Sequence, residues 1–189
     1  MADRISLSKD WYNRGVQLLE EYKRNDEPRL LFEAYIYLWI SLTVAAKQYC
    51  ASAGQKFDNA NGEKATDKDE ILHWALKCRA NQIMSMLQNN EELVLDLCER
   101  NGSETDQPIM DAQSEKTKNY HREFIKYWQG DARYSSQSQI VQTFILILNR
   151  VRNNLFHGAK SFRIEGDIEM LKLTSPLLKN VSKLCIETL

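Results

Sequence analysis

Residues 136–158 read SQSQIVQTFILILNRVRNNLFHG, and the fold follows from how this stretch is read. Ile140, Val141, Phe144, Leu148, Val151 and Leu155 recur at three- and four-residue steps. At 3.6 residues per turn they line one stripe of a helix. The spacing predicts a helix from about Ser136 to Phe156, with Gly158 as its C-terminal stop, because glycine accepts the left-handed turn that ends helices.

Working outward, the same periodicity recurs along the chain. Ser6 or Ser8 is positioned to cap a first helix running to about Asn25, with Trp11, Val16, Leu18, Leu19 and Tyr22 near one face. Pro28 suits the first turn of a second helix, reaching about Ala53. That helix is apolar nearly all round (Leu31, Phe32, Tyr35, Ile36, Leu38, Trp39, Leu42, Val44), which predicts the centre of a bundle. Gly54 to Thr66 reads as a polar loop. Thr66 or Asp67 caps a third helix to about Gln88, and Glu91 to Arg100 continues it or packs beside it. Residues 101–113, with Gly102 and Pro108, are the linker candidate within a single domain spanning 1–189. Glu115 to Gln129 is a further helix, broken by Gly130-Asp131. Asp167 is expected to cap a last helical region to Leu189, with a kink or a fresh start at Ser175-Pro176.

Composition agrees. Seven glycines and three prolines in 189 residues leave few ways to build the turns of a sheet protein, so the reading is all-α, with about five to seven helices. Four cysteines, at 50, 78, 98 and 185, show no metal-ligand spacing and are too sparse for a disulfide framework; reduced, mostly buried thiols are expected. The N-terminal residues carry no apolar signal core. The most lipid-like run, Ala34 to Ala46, lies between Glu33 and Lys47 and is short for a membrane span. A cytoplasmic protein with no membrane partner is the expectation.

The chemistry concentrates at the end of the 136–156 helix. Arg152 lies four positions after Leu148 and three before Leu155, within the apolar stripe. An arginine there needs either a carboxylate partner or a cleft that receives an anion, because an unpaired buried charge is costly. His157 follows five positions later, and the two approach one another only if the helix ends near His157 or if two subunits meet. Histidine titrates near neutrality and serves as acid or base. Arginine offers permanent charge and two aligned donors to phosphate oxygens. Asn153 is placed to orient the phosphate or the imidazole. These residue types call for no metal and no cofactor.

Arg152, Asn153 and His157, an arginine followed by a polar residue and, after a four-residue gap, a histidine, resemble the motif of the HEPN family. The wider string Val151 to Lys160 looks like its bacterial and phage-defence members, and the aromatic-rich helix Ala34 to Tyr49 is compatible with their core helix. The close resemblance covers about ten residues. It implies a HEPN-like helical bundle, a metal-independent endoribonuclease of toxin–antitoxin or antiphage defence type, and a homodimer whose motifs face one another. One histidine per motif leads to the same expectation, since an acid and a base are both needed. An antitoxin or regulatory protein would be a further partner.

The net charge of −1 gives the whole molecule no attraction for nucleic acid, but residues 149–163 hold Arg150, Arg152, Lys160 and Arg163 and no acid. Arg150, Lys160 and Arg163 are therefore the candidate RNA contacts. A solvated helix end whose cations suit the dipole gives the same pattern. His73 reads as a helix-face residue. His121, in Tyr120-His121-Arg122, lies on a polar helix with RNA contact as a minor option. The rival reading is a non-catalytic HEPN-like module that binds a partner protein or a nucleotide.

Overall fold

The structure is a computed structural model that describes residues 2–53, 65–99, 115–130, 136–156 and 165–189. Among these residues there are eight helices and no strand: α1 (Ala2–Asn25), α2 (Pro28–Ser52), α3 (Asp67–Cys78), α4 (Ala80–Asn89), α5 (Glu91–Glu99), α6 (Glu115–Gln129), α7 (Gln137–Phe156) and α8 (Glu165–Ile186). The expected linker 101–113 and most of the loop before Thr66 lie outside the described residues.

The helix count exceeds the expected five to seven because the stretch read as one third helix is two. Its ladder breaks at Arg79, which has φ −135° and ψ 11°. No glycine or proline marks the break. Instead Arg79 Nε donates to Thr188 Oγ1 at 3.1 Å, and Trp74 Nε1 reaches the same oxygen at 3.2 Å. A contact with the other end of the chain thus outweighs local helix propensity. Thr66 caps α3, exchanging bonds with Asp69 in a reciprocal capping box. Ser136 and Gln139 form the same arrangement at the start of α7, where Ser136 N donates to Gln139 Oε1 at 2.9 Å.

Two expected boundaries move. Neither Ser6 nor Ser8 caps α1, which begins upstream of both. Asp167 lies inside the first turn of α8 and its side chain is fully buried. Pro176 neither stops nor restarts α8, which runs on through it.

Buried side chains from all eight helices form one core. The central position belongs to α2, which is long and apolar enough by length and composition to cross a membrane but turns those side chains into the bundle. Three sets of hydroxyl-to-carbonyl bonds fix its neighbours. Ser8 Oγ donates to Ser41 O at 3.0 Å while Ser41 Oγ donates to Ser8 O at 2.8 Å, tying α1 to α2. Ser182 Oγ donates to Leu38 O at 3.0 Å from α8. Tyr35 Oη donates from α2 to Leu148 O of α7 at 2.8 Å. Each of these four hydroxyls finds an acceptor, which removes a desolvation cost of about 1–3 kcal/mol per group.

Those short serine bonds require the α1 and α2 backbones to approach closely, and Gly15 permits it. A Cβ at Gly15 would lie 2.7 Å from Leu38 Cγ and 3.3 Å from Ala34 O. Leu38 is fully buried and has nowhere to go. Gly15→Ala should therefore destabilise the protein. The helix-propensity gain of about 1 kcal/mol is outweighed by overpacking of about 1–3 kcal/mol. We expect thermal unfolding to show a Tm lowered by about 2–6 °C. An unchanged or raised Tm would mean that α1 stands off from α2.

Candidate functional site

The candidate site is the last two turns of α7. Tyr35, fully buried, anchors the helix just upstream through Leu148 O, and burial holds its phenol protonated, well above the ordinary tyrosine range. Thr174 of α8, which donates its hydroxyl to Met170 O at 2.7 Å, lies beside the Tyr35 phenol. The segment carrying Arg152 thus leaves a fixed point made by α2 and α8.

Arg152 is half-buried. Its Nη1 donates to Asn153 Oδ1 at 2.8 Å. Its guanidinium carbon sits 4.6 Å above the centre of the Phe156 ring, one turn further on. Its Nε is buried and has no hydrogen-bond partner among the described residues. Among the described residues no carboxylate lies within ion-pair distance of this guanidinium. Of the two reasons for an arginine in this place, a carboxylate partner is the one the described residues do not supply. The charge is held in a fixed pose by a neutral amide and an aromatic face. Phe156 itself is 50% exposed, so the pair stands at the surface.

Asn153 spends its carbonyl oxygen on Arg152, which makes it an orienting group for the guanidinium. Arg150 is not brought to this cluster. Two residues before Arg152 on a helix, it lies on nearly the opposite side of α7. It too is half-buried, with a buried Nε that has no hydrogen-bond partner among the described residues. His157, Lys160 and Arg163 lie outside the described residues. The buried stripe of α7 ends differently from its sequence reading. Leu155 is only half-buried, and the last fully inward residue is Asn154, at 6% exposure. A polar residue three positions after buried Val151 was the available signal for it.

The other titratable groups are structural. His121 Nε2 lies 2.6 Å from Leu97 O, so it carries a proton there and pins α6 to α5; burial pushes its pKa down. Burial also lowers that of His73. The four cysteines are free. Burial drives the thiols of Cys50 and Cys98 up to about 11 and raises that of Cys185 well above its usual range, which suits inert core thiols and not nucleophiles. Among the described residues no three His, Cys, Asp or Glu side chains are grouped to hold a metal. A cavity of about 160 Å³ between α1, α2 and α8, lined by Leu19, Leu31, Lys172 and Pro176 among others, takes no lining residue from α7.

Comparison of the chain with protein-family models, with curated proteins and with solved structures yields no match.

The state of Arg152 can be tested without knowing its ligand. Removing one partner of a buried ion pair costs about 3–5 kcal/mol. Arg152 has no such partner among the described residues, and Met retains an apolar stem of similar length while removing the guanidinium that lies over Phe156. Arg152→Met should shift stability by no more than about 1 kcal/mol, measured by urea unfolding at unchanged m-value. A loss of several kcal/mol would make Arg152 a structural ion-pair residue.

Proposed function

We propose that this chain is an endoribonuclease that cleaves RNA by attack of the substrate's own 2′-hydroxyl, without a metal, with Arg152 and His157 as catalytic residues. The observation that carries the reading is the guanidinium of Arg152: half-buried, posed by Asn153 and Phe156, and without a carboxylate among the described residues. A permanent cation held without a counter-ion is suited to a phosphate, whose oxygens match its planar donors. The resemblance to the HEPN motif supplies His157 and the biological setting, a toxin-like effector of a toxin–antitoxin or antiphage system, restrained by an antitoxin or another regulatory protein.

In this mechanism one imidazole takes the proton from the 2′-hydroxyl. The 2′-oxygen attacks phosphorus, and the bond from phosphorus to the 5′-oxygen breaks. A second imidazole delivers a proton to that leaving oxygen. The products are a 2′,3′-cyclic phosphate and a 5′-hydroxyl. Arg152 donates to a non-bridging oxygen as negative charge builds there. Each motif carries one histidine, so the acid and the base come from two chains of a homodimer, with the open Phe156 edges at the junction.

The test is incubation of the purified protein with mixed RNA in EDTA. We expect cleavage leaving 2′,3′-cyclic phosphate ends, and no cutting of DNA. A positioned acid or base typically contributes about 10²–10⁴ in rate, so His157→Ala should lose activity on that order while staying folded. Arg152→Ala should be severely impaired, and Arg152→Lys should rescue it poorly because a point charge lacks the planar fork. Asn153→Ala should be milder. Cleavage that requires a divalent metal, or that survives His157→Ala, contradicts the proposal.

A further inference from the structure

The cavity between α1, α2 and α8 is apolar inside and cationic at its edge. Leu19 of α1 and Leu31 of α2 are almost wholly buried and form its floor, and Pro176 of α8 closes a third side. Pro176 also helps to leave the space empty. A proline ring clashes with the carbonyl four residues back, here that of Lys172, so α8 cannot present a smoothly packed wall at this turn. Lys23, Lys172 and Lys179 line the same cavity, against one carboxylate, Glu20. Lysine stems extend an apolar wall while their ammonium groups stay in water, so the three charges gather at the rim. Glu20 holds Lys23 at 2.8 Å and Glu169 holds Lys172 at 2.8 Å, both as exposed i,i+3 pairs. Such pairs are weak and exchange readily for another anion. Lys179 has no carboxylate within ion-pair distance among the described residues.

We propose that this cavity binds a small apolar carboxylate, its tail of about six carbons between Leu19, Leu31 and Pro176 and its head at the rim on Lys172 and Lys179. Volume sets the tail. The cavity measures about 160 Å³. An apolar cavity of roughly 150 Å³ takes one benzene ring, whereas drug-sized ligands need about 300–1,000 Å³. A short alkyl chain or a single ring fits, and a nucleotide does not. Charge sets the head. Three ammonium groups line the cavity against one carboxylate, which Lys23 already holds, so an incoming anion meets a positive rim. The head stays at the solvent edge, which spares the carboxylate the cost of full burial. The cavity takes no residue from α7, so this inference is independent of the RNA-cleaving reading.

The test is calorimetric titration of the full chain with straight-chain carboxylates from butyrate to decanoate, with heptanol as the uncharged control. Affinity should rise about fourfold per added methylene up to heptanoate, whose tail fills the cavity, and then level off. Heptanol should bind about tenfold more weakly than heptanoate. Lys172→Met and Lys179→Met keep apolar stems and remove the charges. Each should weaken heptanoate about threefold, and the double variant about tenfold, with heptanol binding unchanged. The heptanol arm thus separates lost charge from damaged packing. Pro176→Leu places carbon in the void and restores a helix donor, so it should abolish binding of both compounds while Tm holds or rises. Vesicles containing phosphatidylglycerol should not retain the protein. Absence of heptanoate binding, affinity that keeps climbing through decanoate, or heptanol that binds as tightly as heptanoate overturns the proposal. So does retention on the vesicles without binding of heptanoate, which would make the three lysines a membrane-facing patch.

Discussion

The fold hangs on hydroxyl-to-carbonyl bonds that cross between helices around α2. Ser8 and Ser41 exchange bonds across the α1–α2 contact, Ser182 reaches Leu38 O from α8, and Tyr35 reaches Leu148 O on α7. The serine bonds need their helices close together, and each of the bonds becomes costly if the helices part and strand a buried polar group. Apolar burial supplies most of the stabilisation but is indifferent to rotation and sliding. These directional bonds select one register, and Gly15 supplies the clearance that the tightest of them requires.

The same constraint reaches the candidate site. Tyr35 fixes α7 at Leu148, one turn before Arg152, and burial keeps the phenol a permanent donor. From that fixed point the helix delivers Arg152 to one side and Arg150 with Asn154 to the other. A helix end that poses a guanidinium with no carboxylate beside it among the described residues suits a ligand that arrives already charged.

How much of this was legible in the sequence depended on whether the cause was local. Pro28, the Thr66–Asp69 box and the Ser136–Gln139 box set helix starts within a few residues, and those starts were readable. The break at Arg79 was not, because its stabilising contact is Thr188, far along the chain. Ser8 has the residue type of a cap, but its hydroxyl is committed to Ser41. Pro176 was read as an interruption, yet α8 is held by packing on both sides of it. Arg152 stood out as a cation within an apolar stripe, but its lack of a counter-ion among the described residues emerged only in three dimensions. Asn154 was passed over because Leu155 beside it fitted the stripe. Both residues lie near its edges, and packing decided which one turned inward.

The central claim is that the Arg152 guanidinium is held for a phosphate. The Arg152 Nε–H is buried and has no hydrogen-bond partner among the described residues, so its NMR resonance is sensitive to an anion that engages the guanidinium. The decisive measurement is a titration of ¹⁵N-labelled protein with a 2′-O-methyl oligoribonucleotide, with the Arg152 Nε–H signal assigned by its loss in Arg152→Lys. The account predicts a saturable downfield shift of that proton, with the same affinity as the bulk binding curve. A resonance that stays in place while the oligonucleotide binds elsewhere on the protein would contradict it.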